Sequence, residues 1–142
     1  MNKQTSKVIL VEDNMAEAGL VKFAFKEQSV ATELIHCHDG EELMALLSTV
    51  APDIIRYILL DLNMPGMNGY EVLKRFSADE NWKKLPVIVF SSSSHQSDVR
   101  TCYELGANAY VCKPIDFNEF DEAIRCINAF WGGVNLGPVF ES

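Results

Sequence analysis

Positive charge is scarce in this 142-residue sequence. Lysine and arginine together number 12, against 20 aspartate and glutamate residues, and the net charge is -8. Binding to nucleic acid or to an anionic membrane needs basic patches, so this charge argues against both partners. No apolar run approaches the about 20 residues of a membrane span, and the first six residues show no signal-peptide core. We therefore expect a cytoplasmic protein.

Cysteine is sparse as well, and no C-x-x-C spacing occurs. Without a secretion signal, scattered cysteines are expected to be reduced thiols that are mostly buried. His36 and His38 would share one face of a strand and leave Cys37 on the other. Because no second group of ligands lies nearby in the sequence, a metal role for this segment is not favoured. The four cysteines are Cys37, Cys102, Cys112 and Cys126.

Five short predicted strands, four of them apolar runs, alternate with five segments of helical pattern. Unbroken apolar runs of this length are typical of strands buried on both faces of a parallel sheet. Strands and helices that alternate through short links indicate right-handed crossovers. The sequence therefore predicts one α/β domain, a doubly wound parallel sheet with five helices on both faces. The predicted strands are residues 8–11, 32–37, 57–60, 86–90 and 109–112; the second is shorter in apolar residues, with Leu34 and Ile35 at its centre.

Four of the five predicted helices begin with the same signature, an Asn or Asp followed three residues later by Glu. The fourth helix follows a run of serines and lacks it. Since an N-cap contributes about 0.5–2 kcal/mol, we hypothesise that the fourth helix is the most easily shifted. Phe23 and Phe117 are expected to face the core from the first and fifth helices. The four signatures are Asn14 with Glu17, Asp39 with Glu42, Asn68 with Glu71, and Asp116 with Glu119.

Polar side chains follow the predicted strands at the edge where ligands bind in open α/β sheets. They are Glu12, Asp13, Asp61, Ser91 and Lys113. Each close pair of carboxylates would cost about 1 kcal/mol in water and about 4 at an effective dielectric of 20. Mg²⁺, which prefers oxygen ligands, would relieve that repulsion. With Mg²⁺ present, the site suits a phosphoryl group on one carboxylate, and Asp61 is the central nucleophile.

Taken singly, these residues have ordinary explanations. Glu12 and Asp13 could simply begin a helix, where acids favour the positive end of the dipole. Ser91 alone suggests a turn, Lys113 a surface charge and Tyr110 core or interface packing. Complementary groups at four strand ends together favour the functional interpretation.

Four segments carry motifs of a known family: residues 11–14, 59–69, 86–91 and 106–114. Together they resemble the response-regulator receiver domain of bacterial two-component signalling, over about residues 7–131. The resemblance implies a flavodoxin-like fold with strand order 2-1-3-4-5. It also implies a receiver domain at 1–131, followed by a short apolar tail at 132–142 and no output domain. The tail is expected either to pack on its own domain or to cover a partner subunit.

The resemblance implies a role for each residue at this edge. Asp61 would accept a phosphoryl group from a phosphohistidine of a sensor histidine kinase. Lys113 would pair with the phosphoryl oxygens, Ser91 would move toward them, and Tyr110 would swing inward behind Ser91. Four groups would surround Mg²⁺: the side chains of Glu12, Asp13 and Asp61 and the carbonyl of Asn63.

The end of the fifth helix, Phe130-Trp131, is similar to small stand-alone regulators that accompany bacterial phytochrome kinases. The resemblance therefore implies a kinase of phytochrome type. Many of those regulators pair through the face of helix four, strand five and helix five. We accordingly expect this face to be the readout of phosphorylation, and a homodimer through it is one prediction.

Three other functions fit less well. A receiver used only for docking is disfavoured because each group of the site is present. A Mg²⁺-dependent phosphatase of the haloacid dehalogenase type needs Asp-x-Asp, and Asn63 holds the second position. A flavin-binding electron carrier needs a phosphate loop after the first strand, where Glu12 and Asp13 would repel phosphate. The expected protein is therefore not an enzyme beyond its own phosphorylation and dephosphorylation.

Overall fold

A computed structural model of the chain describes residues 6–28 and 32–140. The strands are β1 (Ser6–Val11), β2 (Thr32–Cys37), β3 (Ile55–Leu60), β4 (Val87–Ser91) and β5 (Ala109–Cys112). The helices are α1 (Met15–Lys26), α2 (Gly40–Leu47), α3 (Gly69–Ser77), α4 (Gln96–Glu104) and α5 (Phe117–Ala129). A π-helical turn, Phe130–Val134, continues α5. None of the helices in these two ranges has the length and apolar character needed to cross a membrane.

The five strands form one sheet in the order β2-β1-β3-β4-β5, and each neighbouring pair is parallel. This confirms the predicted doubly wound α/β fold. Strand order reverses between β1 and β3, which is the point where ligands bind in sheets of this kind. The predicted bounds of β2 and β5 are confirmed, whereas β1 begins two residues earlier and β4 lies one residue later than predicted.

Apolar residues are buried in two layers that the sheet separates, because successive residues of a strand point to opposite faces. On β3, Ile58 and Leu60 belong to the layer that includes apolar residues of α2, α3 and α4. Leu59 faces the opposite layer, which includes residues of α1 and α5. With both faces covered, β3 is held in the centre of the molecule and carries Asp61 at its end.

The predicted helix starts are confirmed. The side chains of Asn14, Asp39, Asn68 and Asp116 accept hydrogen bonds of 2.9–3.1 Å from the backbone N–H three residues later. His95 precedes α4 and makes no such bond. The first turn of α4 is held in another way, since Tyr70 at the start of α3 donates a 2.7 Å hydrogen bond to Asp98. The greater mobility of α4 stays a hypothesis.

Phe23 and Phe117 were expected in the core, and that prediction is wrong. Their side chains are 48% and 50% exposed, and their rings lie 6.3 Å apart on the surface. The buried positions of α1 are Ala18, Val21 and Ala24. Phe23 is rotated about 100° from Ala24 around the helix, so it points away from the sheet.

The cysteine prediction holds in part. Cys37 and Cys102 are buried, whereas Cys112 and Cys126 are exposed, and all four are free thiols. The rings of His36 and His38 lie on one face of β2 with their centroids 4.3 Å apart, as the strand period predicts. Burial of Cys37 on the other face agrees with the same pattern.

The C-terminal tail packs back onto the domain along one side. Arg56 donates a 2.9 Å hydrogen bond from Nη2 to the carbonyl oxygen of Asn135. Phe140 packs against the core, with the Nζ of Lys84 5.6 Å from its ring centroid. The other side of the tail is apolar and exposed, at Val134, Leu136 and Val139.

Candidate functional site

Three carboxylates meet at the carboxyl edge of the sheet. One oxygen each from Glu12, Asp13 and Asp61 lies within 4.8 Å of the others. Glu12 and Asp61 are only 3% and 6% exposed, whereas Asp13 is exposed. The sheet bonding continues past the strand ends, since the Asp61 N–H donates a 3.0 Å bond to the Val11 carbonyl. The backbone hydrogen bonds of the sheet thus fix the position from which the Asp61 side chain extends.

The loop after Asp61 is packed tightly against it. Gly66 follows Pro65 in this loop and has a φ of +71°, a left-handed conformation that glycine adopts without steric cost. Gly69, the first residue of α3, donates a 3.0 Å hydrogen bond from its N–H to the Leu62 carbonyl. A Cβ atom on Gly69 would lie 2.6 Å from the Asp61 carbonyl oxygen. The start of α3 is therefore in close contact with the backbone of Asp61.

Lys113 brings a cation to the carboxylates. Its backbone N–H donates a 2.7 Å bond to the Ser91 carbonyl, which extends the pairing of β4 and β5. Its Nζ donates hydrogen bonds of 2.8 Å to Glu12 and 2.7 Å to Glu17, and it lies 3.4 Å from Asp61 Oδ1. Its side chain is 7% exposed, so the ion pairs are shielded from water.

Burial is the largest single influence on the pKa of Glu12, Asp61 and Lys113. It raises the pKa of Glu12 to about 7; repulsion by Asp61 adds to the rise, and the hydrogen bond to Lys113 opposes it. Burial likewise raises the pKa of Asp61, against the attraction of Lys113. For Lys113 burial acts to lower the pKa, but the bonds to Glu12 and Glu17 outweigh it and the pKa rises. Lys113 is therefore a permanent cation near neutral pH.

Ser91 and Tyr110 are connected through the loop that leads to α4. Ser91 is fully buried, and its Oγ accepts a 3.3 Å hydrogen bond from the Ser93 N–H. Tyr110 donates a 2.7 Å hydrogen bond to the Ser93 carbonyl. The Ser93 hydroxyl donates a 2.5 Å bond to Asp98 in the first turn of α4. Ser93 is thus hydrogen-bonded to Ser91, to Tyr110 of β5 and to Asp98 of α4.

The structure brings together most of the residues that the sequence singled out. Glu12, Asp13, Asp61 and Lys113 form one cluster. Ser91 borders the cluster through the backbone of Lys113, and Asn63 places its backbone N–H where it favours the charged form of Asp61. Tyr110 lies one residue further away, beyond Ser93.

Two contributors were missed from the sequence. Glu17 was assigned only to the start of α1, yet it makes the shortest contact with Lys113. Ser93 was one of four consecutive serines with nothing to distinguish it. Helix geometry could have indicated Glu17. The first turn of α1 begins at the sheet edge that holds Glu12 and Asp13, so a long side chain in that turn can reach the site.

The fold and this acidic edge define the class of protein, and comparison with known proteins agrees. The chain belongs to the response regulator receiver domain family, whose family model matches residues 8–125.

Two curated relatives resemble most of the chain. The probable methanogenesis regulatory protein FilR2 of Methanothrix harundinacea is 31% identical, over 92% of this chain and 86% of its own length. Response regulator Rcp1 of Synechocystis is 34% identical, over 87% of each chain. These relatives place the chain among response regulators of two-component signalling.

Solved structures of response regulators share the fold. The Mn²⁺-bound form of Rcp1 matches with a TM-score of 0.85 and 32% identity, over 94% of this chain and 99% of its own. The phosphorylated cyanobacterial phytochrome response regulator RcpA matches with a TM-score of 0.87 and 32% identity, over 96% of this chain and 100% of its own.

Proposed function

We propose that this protein is a response regulator that accepts a phosphoryl group on Asp61 from a histidine kinase, with Mg²⁺ bound beside it. The observation that carries the proposal is the position of Asp61. It is a buried carboxylate at the end of the central strand, 3.4 Å from Lys113 Nζ and with oxygens of two further carboxylates within 4.8 Å. Residues 1–131 would form the receiver domain and 132–142 its tail.

The donor set suits Mg²⁺. Glu12, Asp13 and Asp61 offer oxygen atoms alone, and two of the three are buried with raised pKa values, so a divalent cation would relieve their repulsion. The carbonyl of Asn63 would complete the protein ligands. Bound there, Mg²⁺ would neutralise charge on the phosphoryl oxygens. Relevant to this point, Rcp1 has been crystallised in a Mn²⁺-bound form.

In the proposed transfer, an Asp61 carboxylate oxygen attacks the phosphorus of the kinase phosphohistidine. A P–O bond forms, the P–N bond breaks, and its electron pair returns to the imidazole nitrogen. Lys113 donates hydrogen bonds to the phosphoryl oxygens and stabilises their charge. In the loss of the group, water attacks phosphorus, the Asp61–phosphorus bond breaks to restore the carboxylate, and the water proton passes to solvent. Both steps act on the protein's own Asp61 and not on a separate substrate.

The proposed response runs through Ser93. When the Ser91 hydroxyl turns toward a phosphoryl group, the Ser93 N–H loses its acceptor. The Ser93 carbonyl and hydroxyl hold Tyr110 and Asp98, so movement of this loop releases both. Two arrangements would then exchange, with the phosphoryl group favouring one, and the surface of α4, β5 and α5 would report the change. Pairing of two copies through that surface stays a prediction.

The surface around the acidic edge supports a protein partner. Met15, Phe23, Ile115 and Phe117 are between 48% and 104% exposed, and they lie on α1, on the segment after β5 and at the start of α5. Exposed apolar side chains around a reactive group are typical of a docking surface. We propose that a histidine kinase docks there. Since relatives include phytochrome response regulators, a phytochrome-type kinase is our first candidate.

The test is intact mass after incubation with phosphoramidate, a small donor with a P–N bond. Wild-type protein is expected to gain one phosphoryl group with Mg²⁺ and none after chelation. Asp61→Asn, which keeps the shape of the side chain, is expected to gain none under either condition. Uptake by Asp61→Asn equal to the wild type would place the acceptor elsewhere, and no uptake by the wild type would favour the docking-only receiver.

Thermal stability should depend on pH and Mg²⁺ together. The pKa of Glu12 is about 7 in the folded protein, against 4.5 for a free glutamate side chain. A carboxyl whose folded pKa is raised stabilises the protein fully below the unfolded pKa and loses that contribution as pH rises through 7. Mg²⁺ binds the carboxylate form, so its stabilising effect should be larger at pH 8 than at pH 6. Melting curves at both values, with Mg²⁺ or a chelator, measure this; an equal Mg²⁺ effect at both would contradict it.

A further inference from the structure

Glu17 is the one carboxylate on Lys113 that does not belong to the cluster of potential metal ligands. Its Oε1 lies 2.7 Å from Lys113 Nζ, closer than Glu12 at 2.8 Å and Asp61 at 3.4 Å. The metal cluster among the described residues comprises Glu12, Asp13 and Asp61. If Glu12 and Asp61 turn toward a cation, Glu17 is the partner that Lys113 keeps.

The position of Glu17 is set by its own helix. Its backbone N–H donates a 3.0 Å hydrogen bond to the side chain of Asn14, which caps α1. Its side chain is 33% exposed, so it reaches the buried ammonium from the rim of the site. The contact joins α1 to the residue after β5, across 96 positions of sequence.

The ammonium group of Lys113 has only three N–H donors. Two donate to Glu12 and Glu17, and the third faces Asp61 at a longer distance. A phosphoryl group on Asp61 would bring strong anionic acceptors to that side. Lys113 would then have to divide its donors between the phosphoryl oxygens and Glu17.

We propose that Glu17 is a positioning residue that holds Lys113 at the rim of the site and competes for its ammonium with a phosphoryl group on Asp61. The inference rests on the proposed function. Its consequence is that Glu17 lowers the occupancy and shortens the lifetime of the phosphorylated state. The charge of Glu17 acts in the same direction, because it adds a negative charge near the dianionic phosphoryl group.

The test is the rate at which phosphoryl group is lost after loading with phosphoramidate and Mg²⁺ and then removing the donor, measured by intact mass. Glu17→Gln keeps the shape of the side chain and removes its charge. We expect loss to slow by roughly two- to fivefold, the range of a partly exposed ion pair, and the loaded fraction to rise. Glu17→Asp retains the charge and should restore much of the wild-type rate.

Glu71→Gln is the matched control. Glu71 occupies the same place in α3, where its N–H donates to the cap Asn68 at 3.1 Å, and it is exposed with no ion pair among the described residues. Both changes remove an acid from a first helical turn, so an effect through helix stability would appear in both. Only Glu17→Gln should change the rate of loss.

The possible outcomes separate the two proposals. Slower loss in Glu17→Gln with wild-type loss in Glu71→Gln supports the competition. Unchanged loss in Glu17→Gln, an equal change in both variants, or faster loss in Glu17→Gln would overturn it while leaving Asp61 as the acceptor. No uptake by the wild type would overturn the proposed function and this inference together.

Discussion

Replacing Lys113 with methionine should destabilise the metal-free protein by about 3–5 kcal/mol at pH 8, since it removes the cation from a buried ionic cluster. Glu12 and Asp61 would remain buried and unpaired. Lys113 lowers the pKa of both carboxyls, so in the variant both pKa values would rise further. Carboxyls with raised folded pKa values destabilise the protein as pH increases. The difference from wild type should therefore be large at pH 8 and small near pH 4.5.

Urea denaturation at the two pH values measures this effect. Mg²⁺ should return part of the lost stability, because it supplies positive charge to the same oxygens. Lys83→Met is a suitable control: Lys83 is 45% exposed and pairs with Glu80 at 3.1 Å on the surface. That change should stay within about 0.5 kcal/mol and should not depend on pH. A pH-independent loss in Lys113→Met would indicate lost packing in place of lost charge.

Replacing Gly69 with alanine should disturb the fold and the site together. The new Cβ would lie 2.6 Å from the Asp61 carbonyl oxygen and 2.8 Å from the Leu62 Cα. Both are backbone atoms, so the start of α3 or the end of β3 must move. Overpacking of this kind costs about 1–3 kcal/mol. The shift also displaces Asp61 relative to Lys113, and the variant should take up phosphoryl group more slowly than the wild type at equal folded fraction.

Gly19→Ala is expected to have the opposite effect on stability. Gly19 lies within α1, and a Cβ there would meet nothing within 4 Å. Alanine in place of glycine inside a helix stabilises by roughly 0.5–1 kcal/mol. Urea midpoints of the two variants should therefore move in opposite directions. A stable Gly69→Ala protein with normal phosphoryl uptake would show that the contact at Asp61 relaxes without effect.

The sequence predicted the features that depend on short-range geometry or on topology. Asn14 and Glu17 are three residues apart, so their cap follows from helix geometry alone. Asp61 and Lys113 are far apart in the chain, yet parallel strands place their carboxyl ends at one edge, so the strand pattern alone assigns both residues to the site. Such predictions need the order of the elements and not the packing of side chains.

The missed features depend on packing that a single sequence does not determine. α1 has apolar residues on more than one face. The apolar pattern of the sequence therefore does not decide whether Phe23 or the smaller Ala18 and Ala24 face the sheet, and in the structure the two alanines do. The contact of Glu17 with Lys113 depends on which way two long side chains turn. Packing of the tail on its own domain was one of two expectations, but the tail lacks a periodic pattern, so its contact with Arg56, 79 positions away, was not predicted.

The helix starts have a further consequence at long range. All five helices begin at the edge of the sheet that holds the carboxylates, and their first turns contain Glu17, Glu41, Glu42, Glu71, Asp98 and Glu119. The last turns of α1 and α3, toward the opposite edge, contain Lys26, Lys74 and Arg75. The molecule is thus polarised along the strand direction, and its field extends over about 8 Å at physiological ionic strength. A partner with a basic surface would be oriented toward the acidic edge before contact, whereas a small anionic phosphodonor would be repelled by it. Added salt should accordingly slow phosphoryl transfer from the first and speed it from the second.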